Sequence, residues 1–264
     1  MATLINPGLP HIVSMDENVL PTDLRQMFPC FAAVSTAPPE SGRLIALTDN
    51  ESAAAEAFRL VVLRLHELRK ERPLKKLLIT STIPQEGKSM VAANLACLLA
   101  QEREDKVLLV EGDIRRPSQT QLFGMEEHPG LCELLRNELN FDECIAFLPE
   151  ARIWILPAGK LIRNPLDLLQ SQKLAPIMAQ LALWFNWVII DSPPVLPVAD
   201  AGVWSSTVQG IVLVTRYGTT QKKALIKGIH EIDKKKLLGT VINCSQNISH
   251  SDYYYRQSFN TINS

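Results

Sequence analysis

The chain has 264 residues, 46% of them hydrophobic and 21% charged, with a formal net charge of −1. This is a globular composition rather than a disordered one, and so small a charge excludes recognition of nucleic acid or an anionic membrane by bulk electrostatics; any such contact must be local. The five cysteines, Cys30, Cys97, Cys132, Cys144 and Cys244, form no Cys-x-x-Cys pair and are odd in number, which suits a reducing cytosol better than a disulfide framework or a zinc site. The histidines show no metal-ligand spacing.

Residues 1–45 hold six of the 17 prolines and show no sustained helix or strand period, so an extended arm is expected there. The stretch "TDNESAAAEAFRLVVLRLHELRKER" offers capping residues, strong helix formers and a basic end, and predicts a helix over residues 51–69 that Pro73 terminates. From Lys75 onward short apolar runs alternate with longer helical segments. "KLLIT", "KVLLVE", "RIWIL", "WVIID", "GIVLVT" and "LLGTVIN" are too uniformly apolar to be one-faced, as expected of strands buried on both faces of a parallel sheet. Helices are expected between them over residues 89–101, 166–183 and 220–235. The alternation predicts an α/β fold, a doubly wound, mostly parallel sheet with helices on both faces and its ligand site beyond the carboxyl ends of the strands. The predicted layout is an arm over 1–45, a main domain over 46–245 and a tail over 246–264. No uninterrupted apolar run approaches the ~20 residues of a membrane helix, and the first residues lack the basic region of a secretory signal. A cytoplasmic protein is expected.

The strand "KLLIT" runs into "STIPQEGKSM" and then into a helix. Strand, loop ending Gly-Lys-Ser and helix is the setting of a phosphate-binding loop: amides at the helix start meet phosphates, Lys88 reaches the β and γ oxygens, and the Ser89 hydroxyl binds Mg²⁺. Gly87 lets the backbone come close. The standard pattern places glycine at position 82, where this chain has Thr82, so the loop is a variant. Two acidic strand ends reinforce it. "WVIID" ends in Asp191, where nucleotide enzymes hold a metal-organising carboxylate, and "KVLLVEGDIRRP" delivers Glu111 and Asp113 at the same sheet edge, followed by Arg115 and Arg116.

With these words in place, the chain from about residue 51 to its C-terminus resembles the bacterial tyrosine kinases (BY-kinases) of capsule and exopolysaccharide assembly. The resemblance rests on "STIPQEGKS", "VLLVEGDIRRP", "PAGKLIRNPLDLL", "IIDSPPVLPVADA", "GTVIN" and a tyrosine-bearing tail. It implies a P-loop kinase that uses ATP and Mg²⁺ to phosphorylate its own C-terminal tyrosines, working with the cytoplasmic segment of a membrane chain-length regulator at the inner face of the cell membrane. A homo-oligomer and a tyrosine phosphatase are further partners it leaves open; nucleic acid is not among them. Carried over by position, Pro84, Gln85, Glu86, Gly87, Lys88, Ser89 and Met90 would form the nucleotide loop, and Ser89, Asp113 and Asp191 would organise Mg²⁺. The family pattern D-x-D begins here with Glu111, which would stand as base for the tyrosine hydroxyl. Asn243 would read adenine at the end of "GTVIN", although a turn-forming role fits as well. The family's E-x-x-R-x-x-R assembly pattern is represented by Glu56 and Arg59, but Val62 occupies its third position.

Three of the chain's four tyrosines, Tyr253, Tyr254 and Tyr255, stand together in "SDYYYRQ". The ten steps from Asn243 to Tyr253 span at most ~33–36 Å when extended, enough to reach an active site at the same sheet edge. These tyrosines are the expected sites of autophosphorylation. Lys222, Lys223, Lys227, Lys234, Lys235 and Lys236 cluster around one helix and read as a solvated face. Two rival readings share the sheet: a partition or cell-positioning ATPase, and a nucleotide-binding scaffold of polysaccharide export. The first usually has a lysine at the start of the loop, where this chain has Ile83, followed by Pro84 and Gln85, and it has no use for a tyrosine tail.

Overall fold

A computed structural model of the protein describes residues 28–39, 44–103, 105–160 and 162–244, without the side chains of residues 102 and 103. Most of the expected arm and the expected tail, with Tyr253, Tyr254 and Tyr255, lie outside the described residues. The described residues from Phe31 onward belong to one unit.

Among the described residues one sheet contains eight strands: β1 (Ala32–Ala33), β2 (Lys76–Ser81), β3 (Val107–Glu111), β4 (Ala146–Leu148), β5 (Ile153–Leu156), β6 (Trp187–Asp191), β7 (Gly210–Arg216) and β8 (Leu237–Asn243). Their order is β1-β4-β5-β3-β6-β2-β7-β8. Every neighbouring pair is parallel except β4 and β5. The central strands are fully buried apolar runs, which requires helices on both faces.

On one face the helix α1 (Ile45–Thr48), the long α2 (Ala53–Glu71) and α3 (Lys88–Arg103) pack on the sheet. Helix α2 starts where the Ser52 hydroxyl accepts the Ala55 amide at 3.2 Å, satisfying one of the donors a helix start leaves open. Helix α3 is buried all round from Val91 to Ala100, as a helix sandwiched between sheet and α2 must be. Leu77 and Ile79 of β2, Leu109 of β3 and Ile189 of β6 join it in the main core. Alternate residues point the other way: Leu78 and Thr80 face Val195, Ala201 and Ser205. The short α4 (Gln119–Phe123) stays with the first group, since Phe123 lies in the same core as α3. The remaining helices are α5 (Leu131–Arg136), α6 (Phe141–Cys144), α7 (Pro165–Leu169), α8 (Leu174–Trp184), α9 (Asp200–Thr207) and α10 (Lys222–Glu231).

Four expectations need correction. The helix expected over residues 166–183 is two helices, α7 and α8, because the polar run Gln170, Ser171, Gln172 and Lys173 supplies no apolar stripe to carry one through. The helix expected over 220–235 is α10, which stops at Glu231 where Ile232 leaves helical geometry and turns into the core. Strand β8 is not buried on both faces: Gly239, Thr240 and Ile242 are exposed, because β8 is the sheet edge. The expected set of strands also omits β1 and β4. Strand β4 folds back on β5 through a turn in which the Arg152 amide donates to the Pro149 carbonyl at 3.3 Å. Within the stretch expected as an arm, β1 pairs with β4, and Phe31 stacks on Phe185 at a 6.2 Å ring separation.

Candidate active site

Strand β2 hands its chain to α3 through a loop shaped by Gly87. Its φ is +91°, and a Cβ there would lie 2.1 Å from Nδ2 of Asn243. Only glycine fits both the left-handed backbone and that close approach. Asn243 Nδ2 in turn donates to the Glu86 carbonyl at 2.9 Å. The end of β8 therefore holds the outside of the loop.

The inside is held by a residue whose direction the motif does not announce. Glu86 is 1% exposed. Its Oε2 accepts the Ile83 amide at 2.8 Å, and its Oε1 accepts the hydroxyls of Thr215 and Thr220. Thr82, in place of the standard glycine, is fully buried, and its methyl and hydroxyl would lie 3.0 Å from a Cβ on Gly228 of α10. The loop's missing first glycine is thus replaced by packing against a neighbouring helix.

At the start of α3, Lys88 Nζ lies 2.9 Å from Asp113 Oδ2, 3.5 Å from Asp191 Oδ1 and 3.2 Å from the Ser89 hydroxyl. These carboxylates arrive on adjacent strands. Glu111 of β3 is in register with Asp191 of β6, and the next amide, that of Gly112, donates to the Asp191 carbonyl at 2.7 Å. Gly112 has no room for a side chain: a Cβ would meet Asp191 O, Ile190 and Trp204, each at 2.9 Å. The Trp204 indole donates to its carbonyl at 3.1 Å. Arg115 pairs with the buried Asp200 through two hydrogen bonds of 2.8 and 3.0 Å, tying the acidic motif to α9.

The charges are mutually dependent. Burial pulls the Lys88 ammonium down, but Asp191 and Asp113 outweigh it and leave its pKa above the ordinary lysine value. Burial raises the Asp191 carboxyl, and the opposing pull of Lys88, Ser89 and Gln119 does not cancel it. Burial, reinforced by the Asp191 charge, pushes the Glu111 carboxyl well above the usual carboxylate range, against the amides of Ser118 and Gln119.

Glu111 stands where the family pattern has an aspartate, with a side chain one methylene longer. Its Oε2 accepts the Ser118 and Gln119 amides at 2.6 and 2.7 Å, whereas its buried Oε1 has no partner. One oxygen is pinned and the other is available. Gln119 is a site residue that sequence reasoning missed. Its Nε2 donates to Asp191 Oδ2 at 2.9 Å and to the Ser89 carbonyl at 3.1 Å, bridging β6 to the start of α3.

Two cavities open beside these groups. One, of about 390 Å³, is lined by Gln85, Gly87, Lys88, Ser89 and Met90 together with Ser118 and Leu122. Pro84 is exposed and stands off its wall, Glu86 is turned inward, and Asn243 meets the loop from β8. The other, of about 650 Å³, has Glu111 on its wall. A nucleotide and Mg²⁺ fit what is present. Gly87 lines the smaller cavity without a side chain, and Lys88 supplies the cation. Among the described residues no cluster of three or more His, Cys, Asp or Glu side chains forms a protein-only metal cage. Mg²⁺ needs none: one or two carboxylates with a hydroxyl and phosphate oxygens suffice, and Asp113, Asp191 and Ser89 are such a set.

No protein-family model matches the chain. It is 33% identical over 214 residues to the tyrosine-protein kinase YwqD of Bacillus subtilis, covering 80% of this chain and 90% of that protein. This chain belongs to the bacterial tyrosine kinase family. The kinase domain of the Escherichia coli tyrosine kinase ETK superposes on this chain with a TM-score of 0.72 at 27% identity, covering 77% of this chain and 82% of that one. The succinoglycan biosynthesis transport protein ExoP of Rhizobium meliloti is 30% identical over 197 residues, 73% of this chain and 25% of ExoP. The mostly parallel sheet with helices on both faces is the P-loop type of fold that the sequence predicts.

Proposed function

We propose that the protein is an ATP-dependent protein-tyrosine autokinase that phosphorylates Tyr253, Tyr254 and Tyr255. The observation that carries this reading is Lys88 set between Asp113 and Asp191, with a partnerless carboxylate oxygen of Glu111 one strand away. Bound Mg·ATP supplies the electrophilic phosphoryl group and part of its counter-charge. The chain's own residues do the rest. The loop and Lys88 hold phosphate oxygens, and Ser89, Asp113 and Asp191 hold the metal side. Glu111 Oε1 accepts the phenol proton as the phenol oxygen bonds to phosphorus and ADP departs with the electron pair of the broken bridge. A phenol has a pKa of ~10, but phosphoryl transfer depends more on positioning and electrostatics than on prior deprotonation. A glutamate held through one oxygen suits that requirement.

The biological setting follows from the same family. One relative is named for succinoglycan biosynthesis and transport, which supports a role in controlling exopolysaccharide or capsule polymerisation and export. Among the described residues no helix is long and apolar enough to cross a membrane. The partner in this reading is the cytoplasmic segment of a membrane chain-length regulator at the inner face of the cell membrane. The test is intact-mass measurement of the purified protein incubated with Mg·ATP. The wild type gains phosphate on the tyrosine cluster and Lys88→Met gains none. Nucleotide binding without any added phosphate in the wild type would replace this reading with a polysaccharide-export scaffold.

A further inference from the structure

The smaller cavity, of about 390 Å³, has one wall residue that belongs neither to the nucleotide loop nor to the segment after the acidic motif. Pro39 stands with Lys88, Ser89, Gln121 and Leu122 around it. It comes from the stretch that the sequence marks as an arm, and its path to the cavity is fixed at successive points. Phe31 is buried against Phe185. Strand β1 pairs with β4, and the Val34 amide extends that pairing by donating to the Phe147 carbonyl at 2.8 Å. The hydroxyls of Ser35 and Thr36 then donate to the two carboxylate oxygens of Glu150, in the turn after β4, at 3.3 and 3.1 Å. Beyond Pro39 the chain is held again, where Leu44 is buried and the Ala46 amide donates to the Asn94 side chain of α3 at 2.9 Å. Residues 34–39 are thus a strap drawn from the sheet edge toward the helix that carries Lys88.

Between its anchors the strap crosses the end of α4. Gly124 caps that helix in the left-handed region, at φ +63°, and a Cβ there would lie 2.0 Å from the Ala37 carbonyl oxygen. Glycine serves both the cap and the crossing. The same helix opens with Gln119, whose amide holds Glu111 and whose side chain holds Asp191 and the Ser89 carbonyl. Helix α4 is therefore gripped by the acidic site at one end and by the strap at the other. Every residue from Val34 to Pro39 is half-buried or exposed, so the strap is held mainly by a few surface hydrogen bonds. Such segments belong to the low-stability end of a structure, from which elements that respond to ligands are drawn.

We propose that the strap is part of the nucleotide site: docked, it completes the cavity wall, and a nucleoside diphosphate or triphosphate binds the docked form more tightly than the undocked one. Reciprocity then requires the nucleotide to tighten the strap by the same factor. The inference rests on nucleotide binding at Lys88 and Ser89, as read above. It is tested in the full-length protein by calorimetric titration with Mg·ADP and by hydrogen exchange at the Val34 amide with and without saturating Mg·ADP. Val34→Pro removes the donor to Phe147 at a residue outside the cavity wall, and it weakens ADP by about fivefold, the lower end of ordinary coupling between sites. Gly124→Asn has the same effect, because asparagine tolerates the left-handed cap while its Cβ collides with the Ala37 carbonyl. The double variant is no weaker than either single one, since both release the same strap. In the wild type, ADP slows exchange at the Val34 amide by a matching factor. Wild-type protein that binds no ADP defeats the nucleotide reading itself. Wild type that binds ADP with unchanged Val34 exchange overturns the strap assignment; so does undiminished affinity in Val34→Pro, or losses that add in the double variant. The wild-type exchange measurement decides the matter if either variant does not fold.

Discussion

Lys88 is the only basic group within salt-bridge distance of Asp113 and Asp191 among the described residues, and its removal should expose how strongly the site depends on it. In Lys88→Met the Asp191 carboxyl loses the counter-charge that opposes its burial, so its folded-state pKa rises further above the unfolded one. An acid with a raised folded pKa binds more protons when folded, so stability falls as pH rises through that window and returns as pH falls. The melting temperature of Lys88→Met should therefore lie below the wild type near neutral pH and approach it on acidification; a deficit independent of pH would contradict this electrostatic account. Glu86 is the second test at this scale. Glu86→Ala strands the Ile83 amide and two threonine hydroxyls, and urea denaturation should record a loss of about 2–3 kcal/mol, the range for buried hydrogen bonds to a charged group. The type of these residues is legible in sequence but not always their office. Lys88, Ser89, Asp113 and Asp191 sit where motif spacing puts them, because strand ends and a helix start leave side chains little choice. Glu86 turns inward only because Thr215 and Thr220, 129 and 134 positions away, wait for it. Gln119 sits in a run with no motif at all.

Among the elements, the strands that could be read were those buried on both faces, since a continuous apolar run is the imprint of two covering layers. Strands of two and three residues, β1 and β4, carry no period to read. The edge strand β8 has the same apolar residues as its neighbours yet exposes Ile242 to 58%, because burial depends on position in the sheet, which a run of apolar residues does not encode. Helix α2 shows the same limit in functional terms. The resemblance sets an arginine at the position of Val62, but Val62 is fully buried in the main core, while Glu56 and Arg59 pair with each other at 2.9 Å on the outer side. Restoring the pattern with Val62→Arg should not create an assembly contact. It should bury an unpaired charge and cost more than about 3 kcal/mol, visible as a collapsed thermal transition with no larger species by light scattering.

Across the molecule, sheet order concentrates the chemistry. Strands β3, β6 and β2 lie side by side and parallel, so Glu111, Asp191 and the phosphate loop all leave from one edge, the crevice where such sheets place ligands. The chain then continues through β7 to β8, whose terminal residue Asn243 grips the Glu86 carbonyl. This has a practical meaning for separating catalyst from acceptor. A version ending after Cys244 would retain the grip and lose Tyr253, Tyr254 and Tyr255, so that on the proposed reading it would act only on substrate supplied from outside. A version ending after Ile242 would lose the loop's outer support along with them. Isothermal titration with ADP should find the first as tight as the intact protein and the second at least about tenfold weaker, roughly the value of one such bond. Two residues of chain length thus divide a clean reagent from a damaged one.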